Sequence, residues 1–212
     1  MMFVVIDIDG SGKTQVKLLE ENLKKIKTVK VLDYPRYGEK SAFAVEKYLN
    51  DYGKDVTAKQ ASMFYAIDRY DDSFNLREDF KKYDFIISNR YVSASMIHQA
   101  GKIQDKKERE EFLDWLEELE YGIFIPKPDK TIFLNVSPKM SQKLVLMKEE
   151  REYLKNGKKM DIHEEDKNHL INAHASAMEV VSKYDSWIKI DCEKNEMRSI
   201  EDINRDIMGE IL

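Results

Sequence analysis

Short runs of apolar, β-branched and aromatic residues punctuate the chain at Phe3–Ile8, Val29–Tyr34, Phe85–Ser88 and Thr131–Asn135, with a weaker fifth at Trp187–Asp191. Each is too short for a helix and apolar at nearly every position, the pattern of a strand buried on both faces. Between the runs, apolar residues return at helical spacing. Val16, Leu19, Leu23 and Ile26 form one such stripe, and Ala61, Tyr65 and the pair Ile67 and Asp68 mark another. Phe112, Trp115, Leu116 and Leu119 form a third, and Leu170, Ala173, Ala177, Val180 and Val181 a fourth. Strands alternating with helices predict an α/β fold of three layers, with a five-stranded parallel sheet between helices. Right-handed crossovers then set the C-terminal ends of the strands along one rim, where ligands bind in such folds. No repeat, low-complexity tract or Pro/Gly/Ser linker interrupts the pattern, so residues 1–212 read as a single domain.

Composition narrows the class. Apolar residues make up 42% and charged residues 35% of the chain, a balance that supports a packed core. No apolar run approaches the roughly 18 residues of a membrane-spanning helix, and the first residues lack the basic start of a signal peptide. Cys192 stands alone, so no disulfide forms within the chain. These features predict a cytoplasmic protein without a membrane partner. The net charge of −5 argues against a nucleic-acid partner, which calls for a basic surface. It leaves room for a nucleotide pocket, because local arginines outweigh the global sign.

The predicted rim is where the chemistry gathers. After the first strand comes Asp9-Gly10-Ser11-Gly12-Lys13-Thr14. Glycines at this spacing let backbone N–H groups turn inward around phosphate oxygens, and the N-terminus of the next helix adds partial positive charge. Lys13 reaches terminal phosphates in such a loop, and the Thr14 hydroxyl binds Mg²⁺. The full pattern asks for a further glycine at the position of Asp7.

Three arginines follow. Arg36 comes after Pro35 at the end of the second strand, Arg90 after the third, and Arg69 sits in a helical stretch four residues from Tyr65. Tyr65 and Arg69 therefore share a helix face. An aromatic ring beside a guanidinium suits a flat base with an acceptor on its edge. Several cations near a phosphate loop suit an enzyme that brings two anions together.

Taken in order, these motifs resemble the thymidylate kinase family. The resemblance runs from Val4 to about Ile207. It includes Tyr34-Pro35-Arg36-Tyr37, Phe64-Tyr65-Ala66-Ile67-Asp68-Arg69, Asn89-Arg90-Tyr91-Val92-Ser93-Ala94-Ser95, Pro126-Lys127-Pro128-Asp129 and Asp161-Ile162-His163-Glu164. It implies a P-loop nucleotide-kinase fold, ATP as donor, dTMP as acceptor, Mg²⁺ and a homodimer. It also implies residue roles. Asp9, Gly10, Ser11, Gly12, Lys13 and Thr14 bind ATP, with Asp9 and Thr14 near the metal. Arg36 and Arg90 hold the acceptor phosphate. Tyr65 stacks on the base, Arg69 bonds its carbonyl, Ser95 and Gln99 read its edge, and His98 lies near the sugar. Residues 148–160 form a charged lid whose Arg151 is the candidate transition-state cation, with Lys148 next. Asp161, His163 and Glu164 follow the lid and close on the acceptor. Lys13, Asp9, Arg90 and Arg151 make up the catalytic set. Kinases for another pyrimidine nucleotide such as dUMP, and a nucleotide-binding pseudo-enzyme of the same fold, are the alternatives.

Asn89 departs from the family pattern, which has aspartate there. The amide keeps the shape and loses the charge, so Asn89→Asp is expected to leave activity equal or to raise it. His169 and His174 read as helix surface or packing, and the acids of Glu108–Glu120 read as the solvated side of an amphipathic helix.

Overall fold

The computed structural model describes residues 1–7, 12–52, 55–123, 125–146, 167–194 and 196–212. Five strands form one parallel sheet: β1 (Met2–Asp7), β2 (Val29–Asp33), β3 (Phe85–Asn89), β4 (Lys130–Asn135) and β5 (Trp187–Asp191). Their order across the sheet is β2-β3-β1-β4-β5. The helices are α1 (Gly12–Leu23), α2 (Phe43–Lys47), α3 (Ala58–Asp79), α4 (Val92–His98), α5 (Lys106–Glu120), α6 (Pro138–Leu146), α7 (Lys167–Lys183) and α8 (Ile200–Ile211). The chain thus has the predicted α/β architecture, and every predicted strand lies within a residue or two of its expected ends.

Alternation along β1 builds the three layers. Phe3 and Val5 point into a core shared with Leu76 of α3, Met96 of α4, Phe112 and Leu116 of α5, and Ala173, Ala177 and Val180 of α7. Val4 and Ile6 point to the opposite face, into a core with Val16, Leu19 and Leu23 of α1 and Ile203, Ile207 and Ile211 of α8. A strand's side chains change face at each step, so an unbroken apolar run feeds both layers. The α1 stripe is one turn shorter than the periodicity suggests. The helix ends at Leu23, and Ile26 is exposed. Ile67 is likewise exposed while Asp68 beside it is fully buried, the reverse of what hydrophobicity alone predicts.

Each of the five strands ends on a carboxylate or carboxamide: Asp7, Asp33, Asn89, Asn135 and Asp191. These residue types disfavour strands and favour turns, so they stop the sheet along one rim. Two neighbouring pairs bind one another there. Asn89 donates to Asp33 at 2.6 Å and Asn135 donates to Asp191 at 2.6 Å, in both cases between register partners. Local signals also fix the helix that carries Tyr65 and Arg69. Thr57 caps α3 by accepting from the backbone N–H of Gln60, whose side chain accepts from the Thr57 N–H in return. Among the described residues no helix is long and apolar enough to cross a membrane.

Candidate active site

The order β2-β3-β1-β4 places β1 where the sheet's winding changes direction, which is where open α/β sheets bind ligands. A cavity opens beside this rim, holding roughly 610 Å³ of empty space, part of it open to solvent. Its walls come from the turn after β2 (Tyr34, Pro35, Tyr37), from Tyr65 and Arg69 of α3, and from Arg90 and Tyr91 after β3. Ala94, Ser95, His98 and Gln99 line it from α4, with His169 and Leu170 of α7 and Leu49 completing it. The structure therefore brings Tyr65, Arg69, Arg90, Ser95, His98 and Gln99 into one hollow, though they lie as far as 34 positions apart in sequence.

Arg69 is the most constrained of these residues. It is 2% exposed and faces Glu120, which is fully buried at the end of α5. Nε and Nη2 of Arg69 both donate to the Glu120 carboxylate, giving a two-pronged ion pair. Nη1 donates to the Tyr91 carbonyl at 3.2 Å and Nη2 to the Ser95 hydroxyl at 3.3 Å. Burial by itself lowers the pKa of Arg69, but the charge and hydrogen bonds of Glu120, with smaller help from Tyr91 and Tyr121, together outweigh it and the net shift is upward. Arg69 is thus a fixed cation. Four of its five N–H bonds are accounted for by these contacts, which leaves one Nη1 hydrogen for an acceptor in the cavity. Glu120 overturns the expectation that the acids of α5 all face water. Sequence periodicity cannot show that one helix-end acid meets an arginine 51 residues earlier.

Arg36 is placed differently from expectation. Its backbone turn lines the cavity, and the Tyr34–Pro35 peptide is cis, but its guanidinium turns onto α3. It pairs with Asp68 at 3.0 Å, Asp71 at 2.6 Å and Asp72 at 2.9 Å, and donates to Ser41 at 2.8 Å. Burial lowers its pKa and the three carboxylates together raise it by more, so the net shift is upward. Tyr34 joins the same knot by donating to Asp72 at 2.6 Å. Burial first, and then this carboxylate, hold the Tyr34 phenol well above its ordinary range. The arginine fastens the turn to α3, while its neighbour Tyr37 faces the cavity.

Arg90 sits at φ 63°, in the left-handed region that non-glycine residues rarely occupy, which costs about 1–3 kcal/mol where it persists. Its backbone N–H donates to the Ile6 carbonyl at 2.9 Å and its carbonyl accepts from Ser88 at 2.5 Å. These bonds to β1 and β3 hold the side chain at the cavity wall. His98 and His169 stack there with ring centroids 5.6 Å apart and planes 16° apart. His169 therefore lines the cavity, where the sequence suggested only helix surface or packing. Tyr65 is backed by Tyr48, edge-on at 6.2 Å, and Lys102 donates to the Tyr48 hydroxyl at 2.6 Å. Burial lowers the Lys102 pKa to about 8.

At the other end of the rim, Gly12 opens α1 and Lys13 extends from its first turn, paired with Asp33 at 2.7 Å. Through Asp33 and Asn89 the phosphate-loop lysine is linked to the strand end that carries Arg90. Asp7 is buried at the end of β1, where it accepts a hydrogen bond from Ser93 of α4. Asp9, Gly10 and Ser11, the lid at 148–160 with Lys148 and Arg151, and Asp161, His163 and Glu164 lie outside the described residues. Tyr34, Tyr37, Tyr91, His169 and Glu120 are the site residues that the sequence reading did not single out. Tyr34, Tyr37 and Tyr91 had a signal, their places in the motifs around Arg36 and Arg90.

A parallel sheet wound around a central strand, a helix that opens on Gly12 and Lys13 at its C-terminal rim and an arginine-lined hollow next to it define a nucleotide-kinase fold of the P-loop type. The family model described as thymidylate kinase matches residues 8–207. The chain is 26% identical over 147 residues to a thymidylate kinase of Mycobacterium tuberculosis, covering 66% of this chain and 68% of that one. It is 27% identical over 163 residues to a probable thymidylate kinase of Pyrobaculum aerophilum, covering 73% and 76%. A solved structure of thymidylate kinase from Candida albicans superposes with a TM-score of 0.77 at 18% identity, covering 99% of this chain and 90% of that one; at that identity the likeness speaks for the fold. The chain belongs to the thymidylate kinase family.

Proposed function

We propose that the protein transfers the γ-phosphoryl group of ATP to dTMP, giving dTDP and ADP. The observation that carries this reading is the single cavity in which Tyr65, Arg69, Ser95 and Gln99 stand together with Arg90, beside the turn that ends in Lys13. Tyr65 offers a flat ring to the base. The remaining Nη1 hydrogen of Arg69 meets a carbonyl on its edge, with Ser95 and Gln99 reading the same edge. His98 lies toward the sugar. Arg90 holds the acceptor phosphate, and Tyr37 takes the neighbouring place that the guanidinium of Arg36 has left for α3. Arg36 then serves the acceptor through the turn it fastens.

The donor phosphates sit on Gly10, Ser11, Gly12, Lys13 and Thr14, with Asp9 beside them. The oxygen donors here, the Thr14 hydroxyl and carboxylates, are hard ligands that fit Mg²⁺. Bound Mg²⁺ offsets phosphate charge. A phosphate oxygen of the acceptor attacks the γ-phosphorus, the bond to the bridging β–γ oxygen breaks, and ADP departs. The attacking oxygen is already anionic, so no strong base is needed and no covalent enzyme intermediate forms. Catalysis is positioning plus charge neutralisation by Lys13 and Arg90. Arg151 adds a further cation, and Asp161, His163 and Glu164 contribute to the acceptor site. The whole chain acts as one domain, in the cytoplasm.

An ADP-release assay with dTMP, dUMP, dCMP and thymidine tests the reading. Turnover is expected to be fastest with dTMP. Faster turnover of another acceptor moves the specificity, and nucleotide binding with no ADP formed removes the kinase assignment.

The homodimer has a candidate face. Met63, Ile67, Tyr70 and Phe74 follow one another at steps of 4, 3 and 4 along α3. All four are exposed, Ile67 at 53% and Phe74 at 60%. An apolar stripe on the side of α3 turned away from the core pairs naturally with its own copy across a two-fold axis. Ile67→Glu is expected to convert the dimer to a monomer in sedimentation equilibrium. An unchanged mass for that variant, or a monomeric parent, counts against the face.

A further inference from the structure

Among the described residues, the acid that pairs with Lys13 comes from an unexpected strand. In phosphate-loop enzymes, a carboxylate near the loop strand helps hold the metal that travels with the nucleotide. Here the neighbour of β1 on the acceptor side is β3, and its last residue, register partner of Ile6, is Asn89. An amide carries no charge. One strand further out, however, the register partner of Asn89 is Asp33. Asn89 Nδ2 donates to Asp33 Oδ1 at 2.6 Å, and Lys13 Nζ lies 2.7 Å from Asp33 Oδ2. Both carboxylate oxygens are thus committed, one to the strand end beside β1 and one to the phosphate-loop lysine.

We propose that Asp33 supplies, from the end of β2, the carboxylate that serves the metal–nucleotide site, and that Asn89 is its positioning residue. The division of labour follows from exposure and charge. Asn89 is only 8% exposed and acts as scaffold, whereas the Asp33 side chain is 47% exposed and open to water. The amide at 89 is what makes a carboxylate at 33 tolerable. Two carboxylates at 2.6 Å repel, and one of them would take up a proton. With phosphates bound, Lys13 would turn from Asp33 to them, and the freed Asp33 oxygen would be the negative charge offered to the ion that accompanies them. A surface ion pair with no further role is the competing explanation, and such a pair contributes little to stability.

This inference rests on the kinase reading above, and the test keeps the two apart. ADP binding is measured by calorimetry over a Mg²⁺ titration and again in EDTA, for the parent, Asp33→Asn, Asn89→Asp and the double variant, with thermal unfolding as the check on folding. Asp33→Asn is expected to raise the Mg²⁺ concentration at half-effect by about 10- to 100-fold, the range found when groups that orient a metal's ligands are removed. Its ADP affinity in EDTA stays equal or improves, because Lys13 no longer has an anionic partner to leave. Asn89→Asp also weakens the Mg²⁺ effect, contrary to the neutral or favourable outcome that the sequence alone suggests. The double variant, which exchanges the charge between neighbouring strand ends, recovers most of the parent's Mg²⁺ response. A parent-like titration for Asp33→Asn, or a double variant no better than Asp33→Asn, overturns the proposal and leaves the kinase reading standing. A parent chain that binds no ADP overturns both.

Discussion

Glu120→Ala is expected to lower folding stability by about 3–5 kcal/mol, the cost of stripping one partner from a buried ion pair. Arg69 is 2% exposed and Glu120 fully buried, so the guanidinium left behind has little water to replace the two bonds it loses. The intact pair need not be strongly stabilising in its own right, because desolvating both charges offsets much of their attraction. The large loss comes from the orphaned charge. Removing both charges together, as Arg69→Met with Glu120→Leu, is therefore expected to be less damaging than Glu120→Ala alone. Urea unfolding of the variants measures this, and a loss for Glu120→Ala below about 1 kcal/mol places the pair among surface bridges. The acceptor site reports the same change more gently. Glu120→Gln keeps the shape and weakens the hold on Arg69, so the KM for the acceptor rises.

Lys13→Ala is expected to do the opposite: to leave the fold intact and reduce turnover by about 100- to 1,000-fold, the effect of deleting one fixed donor from a site of developing charge. The Lys13 side chain is 77% exposed, and an exposed ion pair contributes roughly 0–1 kcal/mol, so the melting temperature barely moves. In the acceptor cavity Tyr65 and Arg69 are untouched, and dTMP affinity by calorimetry stays near the parent's. Turnover within twofold of the parent would remove Lys13 from the phosphate site.

The two variants fail for different reasons because the two halves of the rim are built differently. The half around Lys13 is the start of α1, with its lysine in solvent. The cavity half is assembled from α3, α4, α5, α7 and two strand ends, and it is held by buried charges. Arg36, with its three carboxylates on α3, belongs to that second kind of structure. So does Arg90, whose left-handed backbone is held by bonds to Ile6 and Ser88 on two different strands.

What the sequence determined by itself was whatever depends on near neighbours. Short, nearly unbroken apolar runs placed five strands, and period-3.6 hydrophobicity placed the main helices, and from them the three layers. Glycine spacing before Lys13 marked the phosphate turn, and the four-residue step from Tyr65 to Arg69 set both on one face of α3. Tertiary structure alone decided who partners whom. It paired Arg69 with Glu120, turned Arg36 away from the cavity, stacked His169 on His98, and linked Lys13 through Asp33 to Asn89. The physical reason is that periodicity reports which side of an element is buried. The electrostatic partner of a charge depends on which elements meet in space, and residues 51 or 71 positions apart carry no local mark of that meeting.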